Sequence, residues 1–254
     1  MKRIVLMVVM VGILLSGCGQ ATGTIVAVAP KTVDGAAMVF VPAGEFQMGA
    51  ELMPDERPVH TVYLDAFWMD RYEVSNRLYQ ACVKAGACRQ DPNLSDSGSP
   101  ANEGLPATLV NWADADAYCK WAGKHLPTEA QWEKAARGTD GRTYPWGNTF
   151  DQNIVNSAYN LNLTTVPVDQ FPDGASPYGA FNMAGNVWEW VADWYSETYY
   201  QQSPRQNPQG PASGELKVAR GGGYGGTEAV MRTAQRRSID GIETGRYLGF
   251  RCAE

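Results

Sequence analysis

Hydrophobic and polar positions alternate most strictly near the two-thirds mark of the chain, over Val187, Trp188, Glu189, Trp190 and Val191. A period of two predicts a strand whose successive side chains face opposite ways. With Trp194 the stretch places three indoles within seven residues, straight after a Gly/Asn-rich turn. Each indole is a large apolar surface whose N–H needs a partner when buried. Similar patterning predicts strands over residues 37–42 and 45–49, separated by Pro42-Ala-Gly44, and further strands over 60–65 and 67–69.

Helical periodicity is confined to the first half. Ser75 is an N-cap candidate for a helix through Leu78, Tyr79 and Cys82 to Gly86. A second helix starts near Asn111, where Ala115, Tyr118, Cys119 and Ala122 repeat at i, i+3, i+4, i+7 and turn Cys119 inward. The third opens on a capping box, Thr128-Glu-Ala-Gln131, carries Trp132, Ala135 and Ala136, and ends at Gly138. From Tyr144 onward the chain reads as turns and short extended pieces, with the last two strands at 218–224 and 245–252. No repeat of 20–50 residues is visible, so a single mixed α+β domain is expected.

The N-terminus changes the setting. Lys2 and Arg3 precede an apolar run over residues 4–15, short for a membrane span and suited to a signal-peptide core. The run ends in Leu15-Ser16-Gly17-Cys18, which resembles a bacterial lipoprotein cleavage box and implies a lipid on Cys18. The expected division is a signal peptide over 1–17, a tether over 18–36 and a folded domain over 37–254. The expected location is outside the cytoplasm, held to a bacterial membrane through the Cys18 lipid alone. Export lets disulfides persist for the other four cysteines, which allow three pairings. Cys82 and Cys88 are close enough for a local loop, and that choice leaves Cys119 with Cys252. The formal charge is −6 with no cluster of Lys or Arg, which argues against nucleic acid as a partner.

Eight segments then match one family in order. They include Phe40-Val-Pro-Ala-Gly-Glu-Phe-Gln-Met-Gly49, Asn111-Trp-Ala-Asp-Ala-Asp-Ala-Tyr-Cys119, Leu126-Pro-Thr-Glu-Ala-Gln-Trp-Glu133, Asn182-Met-Ala-Gly-Asn-Val-Trp-Glu-Trp190, Arg220-Gly-Gly-Gly-Tyr224 and Leu248-Gly-Phe-Arg-Cys252; Glu73-Val-Ser-Asn76 and Tyr144-Pro-Trp-Gly147 complete the set. Together they resemble the formylglycine-generating enzyme, or sulfatase-modifying factor, family. The resemblance implies a C-type-lectin-like fold poor in regular structure and the pairing of Cys119 with Cys252. It also implies structural calcium. One ion would use Asn182, the Gly185 and Val187 carbonyls, and Glu189; the other would use Asn156, Ser157, Asn160 and Asn162. The family has an acid where Asn160 stands, which weakens the second set toward a hard cation.

The chemistry departs from that pattern. Active members hold Cu(I) between two cysteines after the Arg-Gly-Gly turn, and a soft ion needs thiolates. Counting from Arg220, those positions are Gly226 and Met231, so copper is not expected. A serine of the family turn is Gly223, and an asparagine before Leu-Gly-Phe-Arg is Tyr247. With only His60 and His125 present, a His-bound iron centre of the kind used by related thiol-histidine enzymes is also disfavoured. No nucleophile elbow or Walker loop occurs.

Binding is what remains. The family's active cleft maps onto residues 224–247, which carry Tyr224, Arg232, Arg236, Arg237, Asp240, Arg246 and Tyr247; the binding candidates put forward are Trp188, Tyr224, Arg232, Arg236 and Tyr247, aromatics and arginines of the kind enriched at binding hot spots. The same arginines could instead pair with carboxylates around the rim. The expectation is a catalytically inert module taking a protein, peptide or glycan. The alternative is a family enzyme that oxidises a sulfatase cysteine or works through an altered metal centre.

Overall fold

The computed structural model describes residues 29–90, 99–160 and 163–254. The signal-peptide and lipidation readings around Cys18, and the expected ligand Asn162, lie outside the described residues. Among the described residues no helix is long and apolar enough to cross a membrane.

Four short strands come first: β1 (Met38–Val41), β2 (Gly44–Met48), β3 (His60–Leu64) and β4 (Phe67–Asp70). They form two antiparallel ribbons, β1 with β4 and β2 with β3. In β2 the buried positions are Phe46 and Met48, with exposed Glu45 and Gln47 between them, as the alternation predicts. Helices α1 (Asn76–Lys84), α2 (Trp112–Trp121) and α3 (Glu129–Arg137) follow. Ser75 caps α1, and both halves of the capping box are made at Asn111 of α2 and at Thr128 of α3. Ala115, Tyr118, Cys119 and Ala122 are all fully buried, so the α2 face has the orientation its period requires.

The second half supplies a four-stranded sheet of β5 (Trp188–Trp194), β6 (Leu216–Arg220), β7 (Arg237–Asp240) and β8 (Leu248–Phe250), in the order β7-β6-β5-β8. One expectation needs correction here. The chain has three strands after β5, because β7 is a four-residue element with too little alternation to be seen in sequence. Within the sheet β6 runs antiparallel to β5 and β7, and β8 returns beside β5 in the parallel sense. The end of the expected tether belongs to the domain as well. Val33 donates its N–H to Ala122 O at 3.2 Å. Asp34 Oδ2 accepts from Tyr118 Oη at 2.9 Å and from Lys124 Nζ at 2.8 Å, with its side chain shielded from solvent.

One apolar cluster lies between α3 and the two ribbons, with Trp132, Ala135 and Ala136 against Val41, Phe46, Val62 and Met69. Another lies between α1, α2 and the sheet, where Tyr79, Tyr118 and Phe250 pack edge to face or stacked. Both expected disulfides form, Cys82 with Cys88 and Cys119 with Cys252. The longer one ties α2 to the residue pair after β8.

Ion pairs run through the interior. Arg220 meets Glu133 and Glu129, Arg236 meets Glu129, and Arg251 meets Glu189, all with side chains no more than 2% exposed. Two buried acids have folded-state pKa values raised by burial: Asp193 to about 7, with Glu129 adding repulsion, and Asp70 to about 6 against the opposing pull of Lys124. An unfolded aspartate titrates near ~3.9. Between that value and 6–7 the folded chain therefore holds more protons than the unfolded one, and its stability falls as pH rises through the window. The melting temperature is expected to be higher at pH 5 than at pH 8. A thermal-unfolding series across that range checks the sign, and Asp193→Asn should flatten it.

Candidate functional site

A cleft of about 450 Å³ opens at one end of the four-stranded sheet. Its walls come from the first residue of β5 (Trp188), the turn after β6 (residues 223–227), Val230, the first residue of β7 (Arg237) and Tyr247 just before β8. Strand pairing brings these distant positions together. Trp188 lies opposite Leu248 in the β5–β8 pair and donates its N–H to Tyr247 O at 2.8 Å. Arg237 lies opposite Ala219 in the β6–β7 pair. Tyr224 is fixed to the preceding turn by its N–H bond to Asn186 O at 2.9 Å.

Three of the five expected cleft residues, Trp188, Tyr224 and Tyr247, are in the wall. The other two are not. Arg232 makes a two-pronged pair with Glu56, at 2.8 and 2.7 Å, and is 9% exposed. Arg236 makes another with Glu129, at 2.7 and 2.9 Å, and is 3% exposed. Arg232 donates further to Ala229 O and Gln235 Oε1, and Arg236 to Asp55 O and Ser196 O, so both guanidiniums are engaged inside the protein. Their place in the cleft is taken by Arg237, whose half-buried guanidinium carbon sits 5.2 Å from the Trp188 ring centre and 5.1 Å from that of Tyr247. Three arginines within six residues gave no ground for choosing among them. The choice follows from which lie in the loop and which begins a strand.

The two positions expected to carry the family's copper-binding cysteines meet beneath the cleft wall. A Cβ built on Gly226 would lie 2.6 Å from Val230 Cγ2 and 3.4 Å from Met231 Cε, so positions 226 and 231 are neighbours. In place of two thiols this pair of positions carries a hydrogen and a thioether. Met231 is fully buried among Tyr144, Val155 and Ala184. All four cysteines among the described residues are held in the two disulfides, which leaves no described thiolate for a soft ion.

The two expected calcium sets lie behind the cleft, and their side chains also bond within the protein. Asn182 and Asn186 take positive φ, 52° and 61°, which asparagine tolerates better than most residues. Asn182 Nδ2 donates to Glu73 Oε2 at 2.9 Å, and Asn186 Nδ2 to Glu73 Oε1 at 2.8 Å. Gly185 (φ 79°) has no room for a Cβ, which would collide with Asn156 O. Glu189, the carboxylate of the first set, accepts from Arg251 through Nε at 2.7 Å and Nη2 at 2.6 Å, and from Trp132 Nε1 at 2.8 Å. Its charge is already matched by a guanidinium. Burial raises Glu73 to about 7, Arg251 opposes that, and Glu189 adds to it.

In the second set, Asn160 Oδ1 accepts from Ser157 N at 2.7 Å and Ser157 Oγ at 3.0 Å. Asn156 Nδ2 donates to Thr164 O and to Asn186 Oδ1, at 2.9 and 3.1 Å. Amide-to-amide bonds thus close the two loops on each other. No group of three or more His, Cys, Asp or Glu side chains among the described residues is placed to hold a metal ion. The polar pattern of the Asn-rich turns was visible in sequence; its partners Glu73 and Arg251, far along the chain, were not.

Residues 24–254 match the sulfatase-modifying factor enzyme 1-like domain. The chain is 36% identical to the formylglycine-generating enzyme of Streptomyces coelicolor, over 88% of this chain and 90% of that one. It is 30% identical to the inactive C-alpha-formylglycine-generating enzyme 2 of Mus musculus, over 85% of each. Among solved structures, PvdO from Pseudomonas aeruginosa superimposes with a TM-score of 0.74 at 27% identity, covering 89% of this chain and 99% of that one. Similarity over nearly the whole length, in sequence and in three dimensions, is sufficient: this chain belongs to the sulfatase-modifying factor enzyme 1-like domain family.

Proposed function

We propose that this chain is a family member without cysteine-oxidase chemistry, which binds a ligand in the cleft at the end of its four-stranded sheet. The observation that carries the proposal is the cleft floor, where Gly226 and Met231 stand side by side and no described thiol is near. Around that floor the walls keep what recognition needs: two tyrosines, a tryptophan and a guanidinium, most of them on or beside strand ends. An inactive relative at 30% identity supports the view that the fold can persist without the reaction. Export and a lipid on Cys18 belong to the same proposal, supported by the basic start, the apolar run and the small residues before Cys18. On that basis the cleft would face a periplasmic or extracellular partner.

The test is selection of ligands on the immobilised full chain, using a glycan array and a random heptapeptide display library. Selected ligands are expected to bind the Tyr224→Ala/Tyr247→Ala double variant at least about tenfold more weakly, the loss expected for two aromatic hot-spot contacts. The melting temperature of that variant should stay within a few degrees of the parent. Ligands that bind parent and variant equally, or no selected ligand at all, would contradict the proposal.

A further inference from the structure

Charge within the cleft narrows the ligand. The interior arginines are each matched to a carboxylate: Arg220 to Glu133, Arg232 to Glu56, Arg236 to Glu129 and Arg251 to Glu189. Arg237 is not: no carboxylate among the described residues lies within 4.0 Å of it, and it is held instead between the faces of Trp188 and Tyr247. Ring faces fix the plane of a guanidinium and strip part of its water, but they do not cancel its charge. A half-buried, pre-oriented, uncompensated guanidinium in a cleft is a receptor for a planar anion.

The rim limits how much negative charge can enter. Glu243 accepts from Tyr247 Oη at 2.6 Å, and Glu228 accepts from Tyr159 Oη. Glu243 thus sits on the wall residue Tyr247, and Glu228 lies in sequence between the wall residues Thr227 and Val230, so two carboxylates border the cleft that holds Arg237. A polyanion such as nucleic acid or a sulfated chain would meet both, and the chain carries a formal charge of −6 overall. A single carboxylate presented between neutral neighbours would not. Beside Arg237 the wall is main chain at residues 223–226 together with the Tyr224 and Val230 side chains. An extended peptide can approach glycine backbone closely and set flanking side chains on these apolar surfaces.

Resting on the binding reading above, the geometry points to a peptide ligand that seats one Asp or Glu carboxylate on Arg237, between Trp188 and Tyr247. The fork of the guanidinium would take both carboxylate oxygens, and neutral or apolar residues on either side would lie along Tyr224 and Val230. The proposed ligand is a lone acidic residue in an otherwise uncharged segment.

The heptapeptide library tests this with two more variants. Peptides selected on the parent chain are expected to share one Asp or Glu with uncharged neighbours, and to bind Arg237→Gln at least about tenfold more weakly, the scale of a lost charge-assisted pair of hydrogen bonds. Arg237→Lys keeps the charge but not the fork and should fall between the two. Replacing the shared acid by Asn or Gln in a selected peptide should cost the parent chain a similar factor and cost Arg237→Gln little. Selected peptides that need Tyr224 and Tyr247 but carry no shared acid would overturn the carboxylate proposal and leave the binding cleft standing. Peptides that bind Arg237→Gln as tightly as the parent would overturn it equally. Selection of no peptide that depends on the two tyrosines would count against both.

Discussion

Replacing Arg251 with alanine is expected to lower the melting temperature by about 10 °C, more than any substitution in the cleft. Arg251 is fully buried and gives two bonds to Glu189, one to Asp70 O at 3.1 Å and one to Phe181 O at 2.8 Å. It joins β8, the end of β4 and the Asn-rich turn through one guanidinium. Truncation would leave Glu189 buried without its counter-charge and beside Glu73, whose carboxyl already sits near 7 because burial disfavours its charge. Breaking a buried pair by removing one partner typically costs about 3–5 kcal/mol. For a chain of this size that is roughly 10 °C. Arg251→Lys should recover little, since an ammonium cannot span Glu189 and two carbonyls in one plane. A loss of only a few degrees in Arg251→Ala would mean that the interior rearranges around Glu189 easily, and the account of the turn behind the cleft would fail.

The second large effect concerns the bond between Cys119 and Cys252, which closes a sequence separation of 133 residues. In the chain-entropy picture a loop of that length contributes about 4–5 kcal/mol, against about 2 kcal/mol for a six-residue separation such as Cys82 to Cys88. The paired substitution Cys119→Ser/Cys252→Ser should therefore lower the melting temperature well beyond Cys82→Ser/Cys88→Ser. Position adds to the difference. Cys119 and Cys252 are both fully buried in the cluster beneath α2, whereas Cys88 is only partly buried. Denaturant unfolding of the two variants side by side measures it. Equal losses would show that loop length does not set the order.

Local signals were strong wherever one element could satisfy itself. Ser75, Asn111 and Thr128 cap helices because side chain and orphan N–H groups lie within three residues of each other, so the cap is written in adjacent letters. The disulfide pairing was limited to a few options by the number of cysteines. Strand β7 was missed because four residues carry almost no period, and its existence depends on pairing with β6. The direction in which β8 returns has no local signal either, since it is fixed by the packing of the whole sheet.

In the cleft, the sequence brought forward three residues that line the wall and two arginines that do not. Trp188, Tyr224 and Tyr247 reach the wall from three separated segments. Arg232 and Arg236 look identical to Arg237 as letters, yet they differ in having Glu56 and Glu129 within reach, more than 100 residues upstream. The absence of a cysteine pair, by contrast, could be read directly, because what is missing from the sequence cannot be restored by folding. The Asn-rich turns are an intermediate case: their oxygens were countable, but whether they face an ion or each other depends on Glu73, Arg251 and Trp132.

The central claim is that this cleft recognises and does not oxidise. Its most direct test is incubation of the purified full chain with Cu(I), oxygen and a cysteine-bearing sulfatase peptide, followed by mass spectrometry of the peptide and measurement of bound copper. The peptide is expected to keep its cysteine and the protein to take up no stoichiometric copper. Conversion of the cysteine to formylglycine would contradict it.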